Sequence, residues 1–429
     1  MRKMDNEMYS LMEKLFPICR SITGEGVRQS LNIIKELVPL KIYEVPSGTK
    51  VFDWHVPNEW NVNDAYVKNS KGKRIIDFKK SNLHLVGYST PFKGKINLKD
   101  LKQHLYTLPK QPKLIPYITS YYNEKWGFCL AHEDLELLKD DFYEVLVDTK
   151  LEPGNMTYGE LIIRGQSSKE ILLSTYICHP SMANNELSGP IVTSFIAKNI
   201  LEGKKLYYTY RIIFIPETIG ALTYLSRNLD KLKKRVVAGY VITCIGDSGH
   251  FSYLQSRQEN TLVDRVTLHI LKYCLDKYNI YNYHDSRASD ERQYCAPGID
   301  LPVGSLTRTR PGKYPQYHTS GDNFDIVNSK NLIESIKIYE KCIQVFENNH
   351  TYKTTVLGEP MMGKRGLYPI LSKKGKKDQN IYDMMDILAY CDGDQDLLWI
   401  ADKLNRSFLK LLPSIKILLE NKLIKKVSI

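Results

Sequence analysis

The sequence predicts an α/β fold: a mostly parallel sheet covered by helices, with a β-rich inserted module and a C-terminal winged-helix domain. Three observations predict it. After residue 158, apolar strand-like runs alternate with helix-like runs, which is typical of a parallel sheet buried on both faces. Between residues 42 and 158, short β-prone runs alternate with Pro, Gly, Trp and Tyr. The tail, from residue 397, has the order helix, turn, helix and strand, which is the outline of a winged helix.

These changes in pattern predict the domain boundaries. We expect an α/β core in residues 1–41 and 159–352, the β-rich insertion in 42–158, and the winged-helix-like domain in 353–429. A chain of 429 residues is long enough for two or three domains. Its composition, 42% hydrophobic and 25% charged, is that of a folded protein.

The spacing of apolar residues predicts the individual elements. Residues 5–38 have helical spacing with a glycine-containing break at 23–26, which predicts two helices. In the core we predict strands at 171–176, 210–215, 236–245 and 301–306, and helices at 190–201 and 219–229. In the tail we predict helices at 397–404 and 408–421 and a strand at 423–427. Pro413 either kinks the second of these helices or marks its true start.

The net charge is +12, from 60 basic and 48 acidic residues. A basic protein can bind nucleic acid or an anionic membrane. The lysines are spread along the chain, apart from a cluster at residues 373–377, and such a spread is typical of a solvated surface. Nucleic acid is therefore not the expected partner. DNA binding through residues 397–427 stays an alternative, although the second predicted helix offers only Lys410 and Lys416 as basic residues.

The cysteines and the apolar runs indicate the cellular compartment. The eight cysteines form no C-x-x-C pair, which argues against a zinc ribbon or a redox motif. Residues 1–10 are polar and charged, and no apolar run approaches the ~20 residues that a membrane span needs. We therefore expect a cytoplasmic protein with reduced thiols and no membrane partner.

Polar residues that follow four predicted strands are the candidate functional residues: His179, Glu217, Asp247 and His318. The carboxyl ends of parallel strands meet at one edge of a sheet, so these side chains are expected to converge. Histidines and carboxylates are the ligands of catalytic zinc, and a further glutamate beside zinc-bound water can act as a general base. Each residue also has an ordinary structural explanation, such as a helix cap for Glu217 and a turn for Asp247.

The order of these motifs resembles that of the co-catalytic zinc aminopeptidases, the superfamily that also includes the glutaminyl cyclases. The similarity is carried by residues 177–181 (ICHPS), 183–189 (ANNELSG), 214–220 (FIPETIG), 289–294 (SDERQY) and 318–322 (HTSGD). A closer resemblance, over nearly the whole chain, is to bacterial aminopeptidase-like proteins with a β-rich insertion and a C-terminal winged helix. Genes for these proteins often accompany genes for surface-polysaccharide biosynthesis. The resemblance implies a zinc-aminopeptidase-like core of the phosphorylase/hydrolase type.

The resemblance also implies an activity: a zinc-dependent hydrolase that cleaves an amide near a free amino terminus, in surface-polysaccharide or modified-sugar metabolism. Its metal ligands would be His179, Asn185, Asp247 and His318, with Glu217 as the catalytic base.

Further residues would bind the substrate, which is expected to be peptide-like or a small amide-bearing molecule. Asp290 or Glu291 would pair with its ammonium group, Arg292 with a carboxylate, and Tyr317 would also contact it. Assembly of the chain into a homo-oligomer is a further alternative that the sequence leaves open.

Two residues depart from the family pattern. Asn185 stands where the family has an aspartate that bridges two metal ions, and Thr218 replaces the second glutamate of a Glu-Glu pair. A neutral carboxamide cannot neutralise two dications in a dry pocket, so we expect one firmly bound zinc ion, with two or none left open. The same departures favour the alternative of a non-catalytic binding or regulatory protein on a peptidase scaffold.

The insertion is rich in aromatic residues: Trp54, Trp60, Tyr121, Tyr122 and Trp126. These side chains either pack the small core of the insertion or shape a lid over the site or a subunit interface.

Overall fold

The structure, a computed structural model, describes residues 2–139, 141–203, 205–367 and 379–427. The lysine cluster at residues 373–377 lies outside these ranges. The chain divides into two compact units: one comprises Met1–Val263 and Lys277–Lys337, and the other Asp264–Asp276 and Ile338–Ile429. No helix in the described ranges combines the length and the apolar character that crossing a membrane requires. The domain boundaries expected from the sequence stay a prediction.

The elements are numbered in chain order. The helices are α1 (Arg2–Leu15), α2 (Glu25–Lys35), α3 (Leu98–Leu101), α4 (His132–Glu136), α5 (Ser188–Glu202), α6 (Ile219–Arg235), α7 (Leu262–Cys274), α8 (Tyr283–Ser286), α9 (Glu291–Tyr294), α10 (Ser329–Asn348), α11 (Gln379–Leu388), α12 (Leu397–Lys403) and α13 (Phe408–Glu420). The strands are β1 (Lys41–Pro46), β2 (Lys50–Val51), β3 (Trp54–His55), β4 (Glu59–Lys68), β5 (Arg74–Asp77), β6 (Phe92–Asn97), β7 (Leu105–Tyr106), β8 (Phe128–Cys129), β9 (Phe142–Glu152), β10 (Asn155–Ile163), β11 (Glu170–Tyr176), β12 (Thr209–Ile215), β13 (Val236–Val241), β14 (Phe251–Leu254), β15 (Tyr278–Tyr281), β16 (Val303–Thr307), β17 (Thr351–Thr354), β18 (Asp392–Asp396) and β19 (Ile424–Lys426).

The first unit contains an eight-stranded sheet with the order β1-β10-β12-β11-β13-β16-β14-β15. β11 pairs in parallel with β12 and with β13, and β13 pairs in parallel with β16. Every residue of β11, β12 and β16 is buried. Burial on both faces is the reason that these strands are nearly continuous apolar runs in the sequence. The predicted α/β class and the parallel centre of the sheet are confirmed.

The edges of this sheet differ from expectation. β1 and β10 pair antiparallel with each other, and β10 pairs antiparallel with β12, so residues 42–46 and 155–158 lie in the large sheet although we predicted them in the insertion. The partly exposed pattern of β1 resembles that of the insertion strands, so the sequence does not separate the two. β13 ends at Val241 rather than at residue 245, and the chain then turns through Cys244, whose φ is 46°.

The insertion forms a four-stranded antiparallel sheet with the order β5-β4-β9-β6. Buried and more exposed residues alternate along most of β9, so one face of this sheet covers a core. Trp60 is buried in that core, and its indole N–H donates to the carbonyl of Ser89 at 2.9 Å. The ring of Trp126 stacks on Phe92, with the centroids 4.3 Å apart. These two tryptophans pack within the insertion.

Two other aromatic side chains of the insertion are exposed. Trp54 and Tyr122 are 41% and 49% exposed and contact each other edge to face. Tyr121 packs against the core through Tyr88, and its hydroxyl lies 3.3 Å from that of Tyr117. Packing in the core is thus found for Trp60, Tyr121 and Trp126, and a lid or a subunit interface stays a prediction.

The second unit contains a three-stranded antiparallel sheet with the order β18-β17-β19. Helices α12 and α13 and strand β19 lie where the sequence predicts helix, helix and strand. The carboxylate of Asp396 caps α12 by accepting from the backbone N–H of Trp399 at 2.8 Å. α13 begins at Phe408 and contains Pro413, so the alternative that Pro413 marks its true start is wrong.

Candidate functional site

His179 and Glu217 face each other at the carboxyl edge of the large sheet. His179 follows β11 and Glu217 follows β12, and these strands are parallel neighbours, so the residues beyond them lie side by side. Nε2 of His179 is 3.7 Å from Oε2 of Glu217. The backbone N–H of Glu217 donates to Sγ of Cys178 at 3.3 Å, which fixes one strand end against the other. The structure therefore brings these two predicted residues together.

The opposite edge of the His179 ring is held by buried charges. Its Nδ1 is 2.8 Å from Oε2 of Glu186, which lies on a π-helical turn, Ala183–Leu187. Arg20 is buried, donates from Nε to the carbonyl of His179 at 3.0 Å, and lies 3.8 Å from Oε1 of Glu186. A carboxylate on Nδ1 orients an imidazole, and here Nε2 faces Glu217.

His318 is the second imidazole of the site. Its ring stacks on Tyr317 with a centroid distance of 3.9 Å, and its centroid is 5.4 Å from that of His179. Burial, together with the charge of His179, lowers the pKa of His318 to about 3. Its Nε2 is buried and has no hydrogen-bond partner among the described residues. His318 is therefore a neutral imidazole with one nitrogen available to a ligand.

A group of carboxylates forms another side of the site. Oδ1 of Asp290 accepts from the backbone N–H of Thr218 at 2.7 Å, and Oε1 of Glu217 accepts from the hydroxyl of Ser289 at 2.9 Å. These reciprocal bonds join the end of β12 to the segment before α9. Burial and the nearby Glu217 carboxylate raise the pKa of Asp290 well above its usual value. Burial also raises the pKa of Glu291.

Both buried acids have one oxygen without a donor. Oδ2 of Asp290 and Oε2 of Glu291 make no hydrogen bond within the described part of the chain. Oε1 of Glu291, by contrast, accepts from the backbone N–H groups of Ala288 and Ser289, at 2.6 and 2.9 Å. The site therefore has a surplus of hydrogen-bond acceptors.

The two remaining predicted metal ligands are engaged elsewhere. The carboxylate of Asp247 accepts from the side chain of Asn184 at 2.9 Å, from the backbone of Gly249 at 2.6 Å, and from the backbone and hydroxyl of Thr309 at 3.2 and 2.8 Å. Its oxygens thus organise the loop around residues 247–249. The side-chain oxygen of Asn185 is 3.3 Å from the hydroxyl of Tyr176.

The residues present do not fit the two-zinc centre that the resemblance implies. A catalytic zinc ion needs about three protein ligands and one open position. Asp247 is engaged by four hydrogen bonds, Asn185 is neutral, and the hydroxyl of Thr218 accepts from Arg292 at 3.0 Å. Within the described ranges, the one group of three His, Cys, Asp or Glu residues with ligand atoms all within 4.8 Å is Cys178, His179 and Glu186. In that group Nδ1 of His179 is already bonded to Glu186.

The insertion contributes Tyr117, which the sequence analysis does not assign to the site, and Tyr121, which it names as a residue of the insertion's core or of a lid. The ring of Tyr117 is 5.2 Å from both imidazoles, those of His179 and His318. The hydroxyl of Tyr117 lies 3.3 Å from that of Tyr121. Burial raises the pKa of both phenols well above the usual value, so both keep their protons. No pattern in the sequence singles out Tyr117, because its place depends on backbone pairing with a segment about 200 residues away.

The search for polar residues that directly follow predicted strands also misses three residues of the site: Arg20, Glu186 and Ser289. Glu186 directly follows Asn184 and Asn185, so its proximity to the β11 end gives some signal. Ser289 precedes the predicted substrate residues Asp290 and Glu291. For Arg20, which follows α1, the sequence gives no such signal.

Comparison with known proteins places the chain in a family. Residues 9–349 match the family described as "Domain of unknown function (DUF4910)", and residues 350–426 match a winged helix-turn-helix family. A protein of Clostridium acetobutylicum, described as a candidate polysaccharide biosynthesis protein with an aminopeptidase-like domain, is 47% identical over 403 residues, which are 94% of this chain and 92% of that protein. A crystal structure of a candidate peptidase from the same organism has a TM-score of 0.93 at 45% identity and covers 99% of this chain and 97% of its own.

A more distant relative shares the fold alone. A zinc aminopeptidase from Bacillus subtilis has a TM-score of 0.58 at 12% identity, over 80% of this chain and 94% of its own. The expected resemblance to aminopeptidase-like proteins with a C-terminal winged helix is thereby confirmed. The chain belongs to the DUF4910 family and combines its aminopeptidase-like α/β fold with a winged helix.

Proposed function

We propose that this protein is a hydrolase of the aminopeptidase type that cleaves an amide next to a free amino group. The observation that carries the proposal is the position of Glu217. Its carboxylate lies 3.7 Å from the His179 imidazole, accepts from Ser289, and is close to the buried Asp290. A carboxylate held by fixed donors in a pocket is the arrangement that a general base needs.

The carboxylate group supports recognition of an ammonium ion. Oδ2 of Asp290 and Oε2 of Glu291 have no donor among the described residues, and burial raises the pKa of both acids, so a bound cation that supplies hydrogen bonds would stabilise their ionised forms. A primary ammonium group supplies both, because it has three N–H donors. Arg292 is exposed and donates to Thr218 rather than to these oxygens. We assign Asp290 and Glu291 to the substrate's amino group.

Two further residues belong to this proposal. The exposed guanidinium of Arg292 is free to bind a substrate carboxylate in addition to Thr218, because it has five N–H donors. Tyr317, whose ring covers His318, offers an aromatic surface to the part of the substrate beyond the amine.

Glu217 is the residue that would move protons. It takes a proton from a water molecule as that water attacks the amide carbon, and it returns the proton to the leaving amine. His179 orients this carboxylate through Nε2 while Glu186 holds its Nδ1. The donor set does not fit the family's zinc centre, so the proposal assigns no step to a metal ion.

The substrate class follows from the relatives as well as from the pocket. The Clostridium acetobutylicum relative is described as a candidate polysaccharide biosynthesis protein. We therefore propose that the amide joins an amino-bearing acyl group, such as an aminoacyl group, to a sugar or to another small amine.

A binding or regulatory protein on the same scaffold is the second candidate. Asn185 and Thr218 favour it, because both are neutral where the resemblance implies carboxylate ligands. In this case the acidic pocket would bind an amine without cleaving the amide.

The test is to measure binding and hydrolysis of aminoacyl amides and N-aminoacyl hexosamines by the full chain and by two variants. We expect Glu217→Gln to bind them but to lose turnover by about 100-fold or more. Asp290→Asn should weaken binding. Glu44→Gln, an exposed carboxylate of the same unit, is the matched control and should change neither. Binding without hydrolysis by the wild type would favour the second candidate, and absence of both would refute the proposal.

A further inference from the structure

We propose that the β-rich insertion supplies the hydrogen-bond donor for the carbonyl oxygen of the substrate, through the hydroxyl pair of Tyr117 and Tyr121. The inference rests on the proposed function, because it concerns the same pocket. It adds a specificity determinant that belongs to the insertion and not to the α/β core.

Backbone pairing fixes Tyr117 relative to His318. The backbone N–H of Tyr117 donates to the carbonyl of His318 at 2.8 Å, and the N–H of Ser320 donates to the carbonyl of Ile115 at 2.8 Å. Pro116 and Thr319 form a β-bridge between these two bonds. The hydroxyl of Ser320 also accepts from the N–H of Ile115 at 3.0 Å. The insertion is therefore joined to the site by a short, strand-like pairing rather than by side chains alone.

This pairing places the Tyr117 ring against both imidazoles. The ring is tilted by 58° against His179 and is nearly perpendicular, at 89°, to His318. Tyr117 is partly buried, so its ring forms a wall of the pocket while part of it stays accessible. Tyr121 continues this wall, because its hydroxyl is 3.3 Å from that of Tyr117.

The hydrogen bond between Tyr117 and Tyr121 leaves one hydroxyl hydrogen available to a ligand. Each phenol has one O–H group, and one of the two hydrogens is used between Tyr117 and Tyr121. Tyr121 also bonds to the side chain of Thr119, so the O–H group left for an external acceptor is that of Tyr117, in the arrangement in which Tyr121 donates to Tyr117. Oδ2 of Asp290 and Oε2 of Glu291, which have no partner among the described residues, are suited to the N–H donors of an amine. A substrate with an ammonium group and a neighbouring carbonyl complements both sides of this pocket.

The hydrogen bond would strengthen during the reaction. As water adds to the amide carbon, its proton passes to Glu217 and the electron pair of the C=O bond moves to oxygen. A phenol O–H donor stabilises the resulting oxyanion and keeps its own proton. The C–N bond then breaks, and the amine leaves with the proton from Glu217.

The experiment compares two amines, alaninamide and isopropylamine, the second of which has a methyl group in place of the carboxamide. Their dissociation constants are measured by calorimetry for the full chain and for Tyr117→Phe, Tyr121→Phe and the double variant. We expect the double variant to bind alaninamide roughly three- to tenfold more weakly, the usual effect of one lost hydrogen bond, and to bind isopropylamine unchanged. Tyr122→Phe is the matched control, because Tyr122 is exposed and donates to the backbone of His55.

The outcomes separate the inference from the function on which it rests. A wild type that binds neither ligand contradicts the proposed amine site. A wild type that binds both, with a double variant that keeps its preference for alaninamide, overturns the role of the tyrosines alone. An equal loss of both ligands would mean that the tyrosines only maintain the pocket, and this result also overturns the inference.

Discussion

Some of the backbone strain in the described residues lies around the candidate site. Four residues there have positive φ although none of them is glycine: Tyr121 (41°), Ser181 (43°), Thr218 (62°) and His318 (55°). Such conformations cost on the order of 1–3 kcal/mol each and persist where surrounding bonds determine them. Asp290 holds the N–H of Thr218, and Tyr117 holds the carbonyl of His318. The strain thus lies at the residues that direct Glu217 and the second imidazole into the pocket.

At the residue scale, sequence reasoning is informative where a side chain directly follows a buried strand. It groups His179 with Glu217 because β11 and β12 are parallel neighbours and both end at the same edge. It does not show that Asp247, after β13, is engaged by Asn184, because those hydrogen bonds depend on loop geometry. The metal-ligand assignments therefore stay predictions.

Glu59 provides a test of stability against pH. It accepts two hydrogen bonds from Arg28 and further bonds from the N–H of Asn155 and the side chain of Asn61, both at 2.9 Å. The Arg28 hydrogen bonds hold the pKa of Glu59 at about 2, below its usual 4.5. This stabilisation is present above pH 4.5 and is lost as pH falls toward 2. We expect Glu59 to contribute about 2 kcal/mol of the fall in unfolding free energy across that window.

The measurement is urea unfolding at a series of pH values for the wild type and for Glu59→Gln. The variant should be less stable at neutral pH and should lose less stability on acidification. The same substitution at the exposed Glu44 is the control. Parallel pH curves for wild type and Glu59→Gln would contradict this account.

At the element scale, the sequence predicts long, buried or strongly periodic elements and misses short or half-exposed ones. β11 and β12 are predicted because all their residues are buried. β14 and β15 are not predicted, because each has only four residues. The pairing of segment 115–120 with segment 317–320 lies outside any local pattern, and it is this pairing that brings the insertion to the site.

Helix α13 leads to a prediction about nucleic acid. Its basic residues are Lys410 and Lys416, and Lys416 lies 3.8 Å from Glu420 on the same helix. A recognition helix with so few free cations makes few phosphate contacts, so we expect no DNA affinity that falls steeply with salt. Fluorescence anisotropy with duplex DNA at about 50 and 200 mM salt tests this. A decrease in affinity of several orders of magnitude between these salt concentrations would show that the winged helix binds DNA.

At the scale of the whole molecule, the chain has an aminopeptidase-like fold, but its residues do not match the metal-ligand pattern that the resemblance to zinc aminopeptidases implies. The fold survives because it depends on buried strands, which tolerate changes at their ends. The candidate site depends on single side chains, and Asn185 and Thr218 are neutral where the resemblance implies carboxylates. Fold and winged helix could therefore be predicted from the sequence, whereas the metal content could not.

Zinc content is the corresponding prediction. We expect the full chain, purified without chelators or nickel, to hold no stoichiometric zinc, because His179 and His318 alone are fewer ligands than catalytic zinc requires. Metal analysis of the wild type, His179→Ala and His318→Ala checks this. One zinc ion per wild-type chain that is lost in both variants would show that the two imidazoles recruit further ligands.

The contact between Tyr117 and His318 has a consequence for synthesis of the protein on the ribosome. The two residues are about 200 positions apart, and the hydrogen bond between them joins the insertion to the last segment of the site. A nascent chain therefore has no complete pocket until residues 317–320 have left the exit tunnel. Products of premature termination before that point should fail to retain amines, however well their earlier strands fold.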